Sequence, residues 1–326
     1  MFPAERMRRY RINSTIRDIF KESSINKDKL IMPIFVDENE KGKTEIRSMP
    51  GIFRYSIDEY EGYIKHLDSI GVKSILLFGI PKNKDSCGSS SYDKNGIVQQ
   101  AIKIAKASTS MNVIADLCLC EYTDTGHCGI IENGYVDNDK TLEIYEKEAI
   151  SYAEAGVDII APSGMMDGQV GAIRRALDRE HFINVSIMAY SSKFASNLYG
   201  PFRDAADSTP QFGDRRSYQM DYSNGREAMR EIGLDISEGA DIIMVKPALF
   251  YMDIINQAHM AYRLPVATYM VSGEFAMIKN AVSAGLLNSD VIDEALTSLF
   301  RAGSDLVITY FAEDYIAGNI KGMHSR

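Results

Sequence analysis

The stretch Gly239-Ala-Asp-Ile-Ile-Met-Val-Lys-Pro247 decides the fold. It follows an amphipathic run, and a glycine there ends a helix in the left-handed conformation. A short apolar run begins two residues later. The same joint recurs at Gly71-Val-Lys-Ser-Ile-Leu-Leu77, Gly156-Val-Asp-Ile-Ile160 and Gly303-Ser-Asp-Leu-Val-Ile308. Each reads as a helix-to-strand junction, so the chain repeats one α/β unit.

Working outward, eight strand candidates begin near Leu30, Ser74, Asn112, Asp158, Ser186, Asp241, Pro265 and Leu306. They are near-continuously apolar, as parallel strands covered on both faces must be. Helical patterns fill the gaps. One opens with the capping box Ser56-Ile-Asp-Glu59. Another, from Thr141 to Ala155, carries Leu142, Ile144, Tyr145, Ala149, Ile150 and Tyr152 at helical spacing. Eight strands alternating with helices predict a (β/α)8 TIM barrel over residues 28–326. An open doubly wound sheet would carry a glycine-rich phosphate loop after an early strand, and this sequence has none. Residues 1–27 lie outside the repeat. They carry Arg6, Arg8, Arg9, Arg11 and Arg17, and read as an extended N-terminal arm that makes subunit contacts.

Composition excludes several classes. The 326 residues are 45% apolar and 25% charged, the mix of a soluble globular protein. Net charge is 36 − 45 = −9, which argues against a general nucleic-acid binder. No stretch approaches the roughly 18 apolar residues of a membrane span. The opening MFPAERMRRYR has no apolar region after its charges, so a secretory signal is not expected and a cytoplasmic location is. Four cysteines in such a chain point to metal or redox chemistry before disulfides.

Strand ends of a barrel carry its chemistry. The third strand ends in Asp116-Leu-Cys118-Leu-Cys120, and its loop continues to His127-Cys128. Residues 118 and 120 point the same way on an extended strand, and Cys128 can return across a loop holding Gly126 and Gly129. Three converging thiolates suit Zn²⁺ and leave a fourth position open, the catalytic arrangement. His127 reads either as a further ligand or as a supporting residue beside the metal. Cys87 stands apart in a serine-rich loop.

The fourth strand ends at Ser163, the fifth runs into Lys193 and the sixth ends in Lys246; the seventh carries Tyr269 and Ser272, the eighth Tyr310. A lysine is a nucleophile only when neutral, and an apolar setting or a second nearby cation makes it so. Two lysines at one barrel mouth would each lower the other's pKa, and a neutral lysine forms a Schiff base with a ketone or aldehyde. Between the fifth and sixth strands lies a long loop, Tyr199 to Gln219, punctuated by Gly and Pro and carrying Arg203 and Arg215. It reads as a lid whose guanidinium groups match a substrate carboxylate.

Six segments taken in order, Asp116–Gly129, Ala161–Gly168, Lys193–Ser196, Tyr199–Ala206, Met244–Pro247 and Tyr269–Glu274, resemble the porphobilinogen synthase (5-aminolevulinate dehydratase) family. The resemblance covers nearly the whole chain. It implies condensation of two 5-aminolevulinate molecules into porphobilinogen with loss of two waters, an early step of tetrapyrrole (heme) biosynthesis. By position it implies that Lys246 holds the propionate-side substrate and Lys193 the acetate-side one. Cys118, Cys120 and Cys128 match zinc ligands. Arg203 and Arg215, with Gln219 nearby, match the groups on one carboxylate, and Ser272 and Tyr310 those on the other. Asp116, Ser163, Tyr199 and Tyr269 fall among the substrate-site positions. Glu231 matches an allosteric Mg²⁺ position found in part of the family. The resemblance also implies a homo-octamer embraced by the N-terminal arms. The chain departs from the pattern at Gly164, where Asp is often found, at Gln169, where Arg is frequent, and at Thr125 in place of a common His.

Two other classes meet part of this inventory. A class I aldolase would need one lysine and a phosphate site and would leave three cysteines unexplained. A metal-sensing protein on a barrel scaffold would leave Lys193, Lys246 and the arginine-bearing loop without a purpose.

Overall fold

A computed structural model of the chain describes residues 1–320. Its core is a closed barrel of eight parallel strands. In chain order these are β1 (Leu30–Asp37), β2 (Ser74–Ile80), β3 (Asn112–Leu117), β4 (Ile159–Pro162), β5 (Ser186–Lys193), β6 (Ile242–Lys246), β7 (Val266–Met270) and β8 (Leu306–Thr309). Neighbours in sequence are neighbours in space, and β8 closes on β1 through Val307 opposite Leu30 and Ile308 opposite Ile31. All eight strands expected from the apolar runs are present, and the closure excludes an open sheet.

Helices separate the strands: α1 (Ile57–Ile70), α2 (Ile97–Ser108), α3 (Asn138–Ala155), α4 (Gln169–Arg179), α5 (Gly225–Glu238), α6 (Met252–Ala261), α7 (Ser272–Ser283) and α8 (Asp290–Ala302). The glycine joints behave as read. Gly71, Gly156, Gly239 and Gly303 end α1, α3, α5 and α8 at φ of 98°, 98°, 105° and 118°, values open to glycine and costly for other residues. Two of these helices are capped by side chains at their starts. Ser56 accepts from the Glu59 amide at 3.4 Å, and Asp137 accepts from the Lys140 amide at 2.9 Å.

Some pieces carried no periodic signal. Lys43–Glu45 and Phe53–Tyr55 form short strands that extend the sheet beside β1, and Ile130–Glu132 pairs with Tyr135–Asp137 in a small hairpin before α3. In residues 1–26 a 3₁₀ turn (Met7–Arg11) and a short helix (Ser14–Ile19) bury no side chain. Among the described residues no helix is long and apolar enough to cross a membrane.

Candidate active site

The barrel mouth is built from the strand ends. Lys193 closes β5 and Lys246 closes β6, directly opposite each other in the parallel register. Both are buried, at 5% and 4% exposure. They line one narrow cavity with Phe78, Asp116, Cys120, Ser163, Phe202 and Arg215.

The two amines sit in different surroundings. Lys193 Nζ donates to the Ser163 carbonyl at 2.5 Å, and Ser163 Oγ in turn donates to Asp116 Oδ2 at 2.9 Å. Lys246 Nζ is walled by aromatic rings, with centroids of Tyr269 at 4.2 Å, Tyr190 at 5.0 Å, Phe202 at 5.1 Å and Tyr199 at 5.4 Å. Ring faces attract a cation but solvate it far less than water does. Burial, and then the Lys193 charge, pull the Lys246 amine down to about 7. The Asp116 carboxyl is pushed up by burial, against the pull of both lysines.

The thiols of Cys118, Cys120 and Cys128 lie within 4.8 Å of one another, all buried. They converge differently from the sequence expectation. β3 ends at Leu117, so Cys118 and Cys120 are not on an extended strand. A turn held by the Tyr122 and Thr123 amides on the Leu119 carbonyl, at 2.9 and 2.8 Å, folds them together, with the sulfurs 3.4 Å apart. The arrangement fits a tetrahedral metal, whose thiolates stand about 3.8 Å apart. Hydrogen bonds from the other two thiols hold Cys128 well below the usual range, while burial lifts Cys118 and hydrogen bonding to its neighbours lifts Cys120. The cluster thus favours one negative charge, which a soft cation would raise to three.

The lid runs from Tyr199 over the cavity and docks on the cysteine loop. Arg215 Nη2 donates to the Gly126 carbonyl at 2.9 Å, and the Gln211 amide to the Thr125 carbonyl at 3.0 Å. His127 turns both ring nitrogens to the lid, Nδ1 to Tyr218 OH and Nε2 to the Phe212 carbonyl, each at 3.0 Å. Its ring is therefore engaged away from the sulfurs, which favours the supporting role over the ligand role.

Neither Arg203 nor Arg215 pairs with a carboxylate among the described residues. The lid acids Asp207 and Asp214 pair instead with Lys84 and Arg216. Burial, and next the Arg215 charge, lower the Arg203 guanidinium. The buried Nε atoms of both arginines and both amide atoms of Gln219 have no partner among the described residues. Buried polar atoms are almost always satisfied, so this group is built for a polar ligand. Across the mouth, Tyr310 OH and Tyr269 OH meet at 2.9 Å, Ser272 Oγ accepts from the Phe202 amide at 2.9 Å, and Tyr199 OH donates to the Lys246 carbonyl at 3.2 Å.

Glu231 is elsewhere. It lies on α5 in a separate groove with Asp167 and Glu227, half-buried, its carboxyl raised by burial and then by those two acids.

Three contributors escaped the sequence reading. Glu121 is buried, accepts from Cys120 Sγ at 3.0 Å, and is lifted to about 7 by burial and next by Asp116. Tyr190 separates the two lysines, its ring 5.5 Å from Lys193 Nζ and 5.0 Å from Lys246 Nζ. Glu274 accepts from the Val271, Leu249 and Ala248 amides at 2.7, 2.6 and 3.2 Å, tying the end of β7 to the turn after Lys246. Acidic Glu121 beside two cysteines was a visible signal; the other two roles depend on tertiary neighbours.

Comparison with known proteins agrees with this geometry. The family model described as "Delta-aminolevulinic acid dehydratase" matches residues 4–317. A protein of that name from Methanothermus sociabilis is 54% identical over 315 residues, 97% of this chain and 98% of the relative. Its namesake from Bacillus subtilis is 49% identical over 311 residues, 95% and 96% of the two chains. A crystal structure of the delta-aminolevulinic acid dehydratase (porphobilinogen synthase) of Toxoplasma gondii ME49, in complex with its reaction product porphobilinogen, superposes with a TM-score of 0.94 at 40% identity. It covers 99% of this chain and 94% of its own.

Proposed function

Because the chain belongs to the delta-aminolevulinic acid dehydratase family, we propose that it joins two molecules of 5-aminolevulinate through Schiff bases on Lys193 and Lys246. The chain is a dehydratase, a porphobilinogen synthase, and its reaction belongs to tetrapyrrole biosynthesis. The observation that carries the lysine reading is the pair itself: two buried amines opposite each other in one closed cavity, one of them near neutrality at about 7.

Each amine adds to a substrate ketone, and the carbinolamine loses its oxygen as water. Lys246, about half of it neutral at pH 7, is suited to attack in that form without prior loss of a proton to a base. Lys193 sits beside the Ser163–Asp116 pair, whose raised carboxyl can give or take the protons of carbinolamine dehydration. Arg203, Arg215 and Gln219 are our candidates for one substrate carboxylate, and Ser272 and Tyr310, with Tyr269 behind it, for the other. Tyr199 and Phe202 close the cavity against water. Fixed anchors for two identical molecules in different orientations remove most of the entropic cost of the encounter.

Cys118, Cys120 and Cys128 would hold a catalytic zinc beside the Lys193 side of the cavity. When bound, such an ion supplies a Lewis acid at its open position. A magnesium ion near Glu231 is a regulatory reading, supported by the mutually repelling carboxyls of Asp167, Glu227 and Glu231. A homo-octamer with the arm of residues 1–27 on a neighbouring subunit is part of the proposal. Phe2, Met7, Ile12 and Ile19 of that arm are at least 60% exposed in the single chain. The proposal includes a cytoplasmic location.

The test is pyrrole formation from 5-aminolevulinate by the zinc-loaded protein, read with an aromatic aldehyde, together with borohydride trapping. A coloured product and mass increments on both Lys193 and Lys246 are expected. Product without an adduct at either lysine would overturn the Schiff-base assignment.

A further inference from the structure

We infer that Tyr145 is a positioning residue for the metal site: its hydroxyl sets Cys128 against the other two thiols, and Gly164 is glycine to make room for it. The inference rests on the metal reading of the three cysteines and adds to it a residue outside the cavity.

Cys128 differs from its partners in how it reaches the cluster. Cys118 and Cys120 follow β3 directly, whereas Cys128 comes back on a loop whose backbone must be held from outside. The holder is one face of α3. Tyr145 OH donates to the Cys128 carbonyl at 2.7 Å. One turn earlier, Thr141 Oγ1 accepts from the Ile130 amide at 3.0 Å while donating to the Asp137 carbonyl at 2.6 Å. Residues 141 and 145 are four apart on the helix and so present their hydroxyls side by side. They grip the loop on both sides of residue 129.

Two glycines complete the fit. A Cβ at Gly129 would stand 2.4 Å from Thr141 Oγ1. A Cβ at Gly164 would stand 1.7 Å from Tyr145 OH and 2.7 Å from its Cζ. Neither distance is tolerable, and Tyr145 is fully buried with no room to swing aside. The tyrosine at 145 and the missing side chain at 164 are therefore one device. Packing alone would be served by a phenylalanine or leucine at 145. The hydroxyl has one described partner, the carbonyl of a cysteine, and groups that orient metal ligands commonly act through such contacts.

The test is a titration of the reduced, metal-free protein with Co²⁺, read by the thiolate-to-cobalt charge-transfer band, alongside thermal unfolding of the metal-free forms. Tyr145→Phe is expected to bind Co²⁺ roughly tenfold more weakly than wild type, with its metal-free melting temperature lowered by a few degrees because the Cys128 carbonyl loses its donor. Gly164→Ala should weaken binding at least as much and also lower the melting temperature. Adding Tyr145→Leu to Gly164→Ala should recover the part of the melting temperature lost to the clash and leave the binding weak. Wild-type affinity in Tyr145→Phe would overturn this inference alone. No band with the wild type would overturn the metal reading and this inference with it.

Discussion

Lys193 and Lys246 stand directly opposite each other on adjacent parallel strands, yet only one of them faces a ring-lined pocket. Lys193 is anchored to a backbone carbonyl whose own residue contacts Asp116. Lys246 has Tyr269, Tyr190, Phe202 and Tyr199 around its amine. One cavity therefore holds two amines in different surroundings.

That difference predicts a pH dependence. Burial and the Lys193 charge bring Lys246 down to about 7. Below that pH the amine is protonated and cannot attack; above it the neutral form dominates. Borohydride trapping on Lys246 is expected to fall about tenfold per pH unit below neutrality and to level off above about pH 8. Mass spectrometry of the labelled peptide checks it. Trapping independent of pH between about 5.5 and 8.5 would contradict a near-neutral amine.

The same depressed pKa bears on stability. The unfolded chain holds its lysine proton up to the ordinary value near 10.5, while the folded chain releases it near 7. Between those values the unfolded state binds more protons, so stability from this group rises with pH across that window. Lys246→Met removes the effect. The variant is expected to be more stable than wild type at pH 7, with a smaller gain at about pH 9.5, and to lose more than about a thousandfold in turnover. Denaturant unfolding at the two pH values, with the turnover assay, checks both halves. A variant less stable than wild type at pH 7 would show that burial of the amine is not costly.

Much of this was legible in the sequence because it rests on local rules. The four glycine joints and apolar runs needed only helix ends and strand burial, and the barrel followed. Lys193, Lys246 and the three cysteines could be read because few other reasons place such residues at strand ends. What escaped depends on contacts between distant segments. The cysteine convergence is produced by a turn after β3 and not by strand alternation. Tyr190 looks like any buried strand tyrosine until its ring is found between two amines. The short strands at Lys43–Glu45 and Phe53–Tyr55 are too brief for periodicity to register.

The cysteine cluster predicts that metal and turnover are lost together. Cys128 carries the favoured negative charge of the three, so its removal takes away the most available ligand. Cys128→Ala is expected to lower zinc content below about one tenth of wild type and activity in proportion. Chelation of the wild type should do the same, reversibly. Metal analysis beside the pyrrole assay checks it. Full activity in zinc-free Cys128→Ala would remove the metal from the mechanism.

Glu274 offers a prediction in which no substrate contact is involved. Its carboxylate collects amides from Val271, Ala248 and Leu249 and so braces the turn that follows Lys246. The group is fully buried, and burial lifts it to about 7 even though those three hydrogen bonds favour its charged form. In Glu274→Gln one acceptor oxygen becomes an NH₂ facing an amide, leaving donors unsatisfied in a dry interior. Each such group costs about 1–3 kcal/mol, so the variant should melt several degrees lower. Loosening the brace also lets the Lys246 backbone shift, and a sub-ångström shift at a nucleophile lowers kcat more than it raises KM. Thermal unfolding and steady-state kinetics with 5-aminolevulinate separate the outcomes. A lowered melting temperature with unchanged kcat would make Glu274 structural only, and no change in either would show that the three amides do not depend on it.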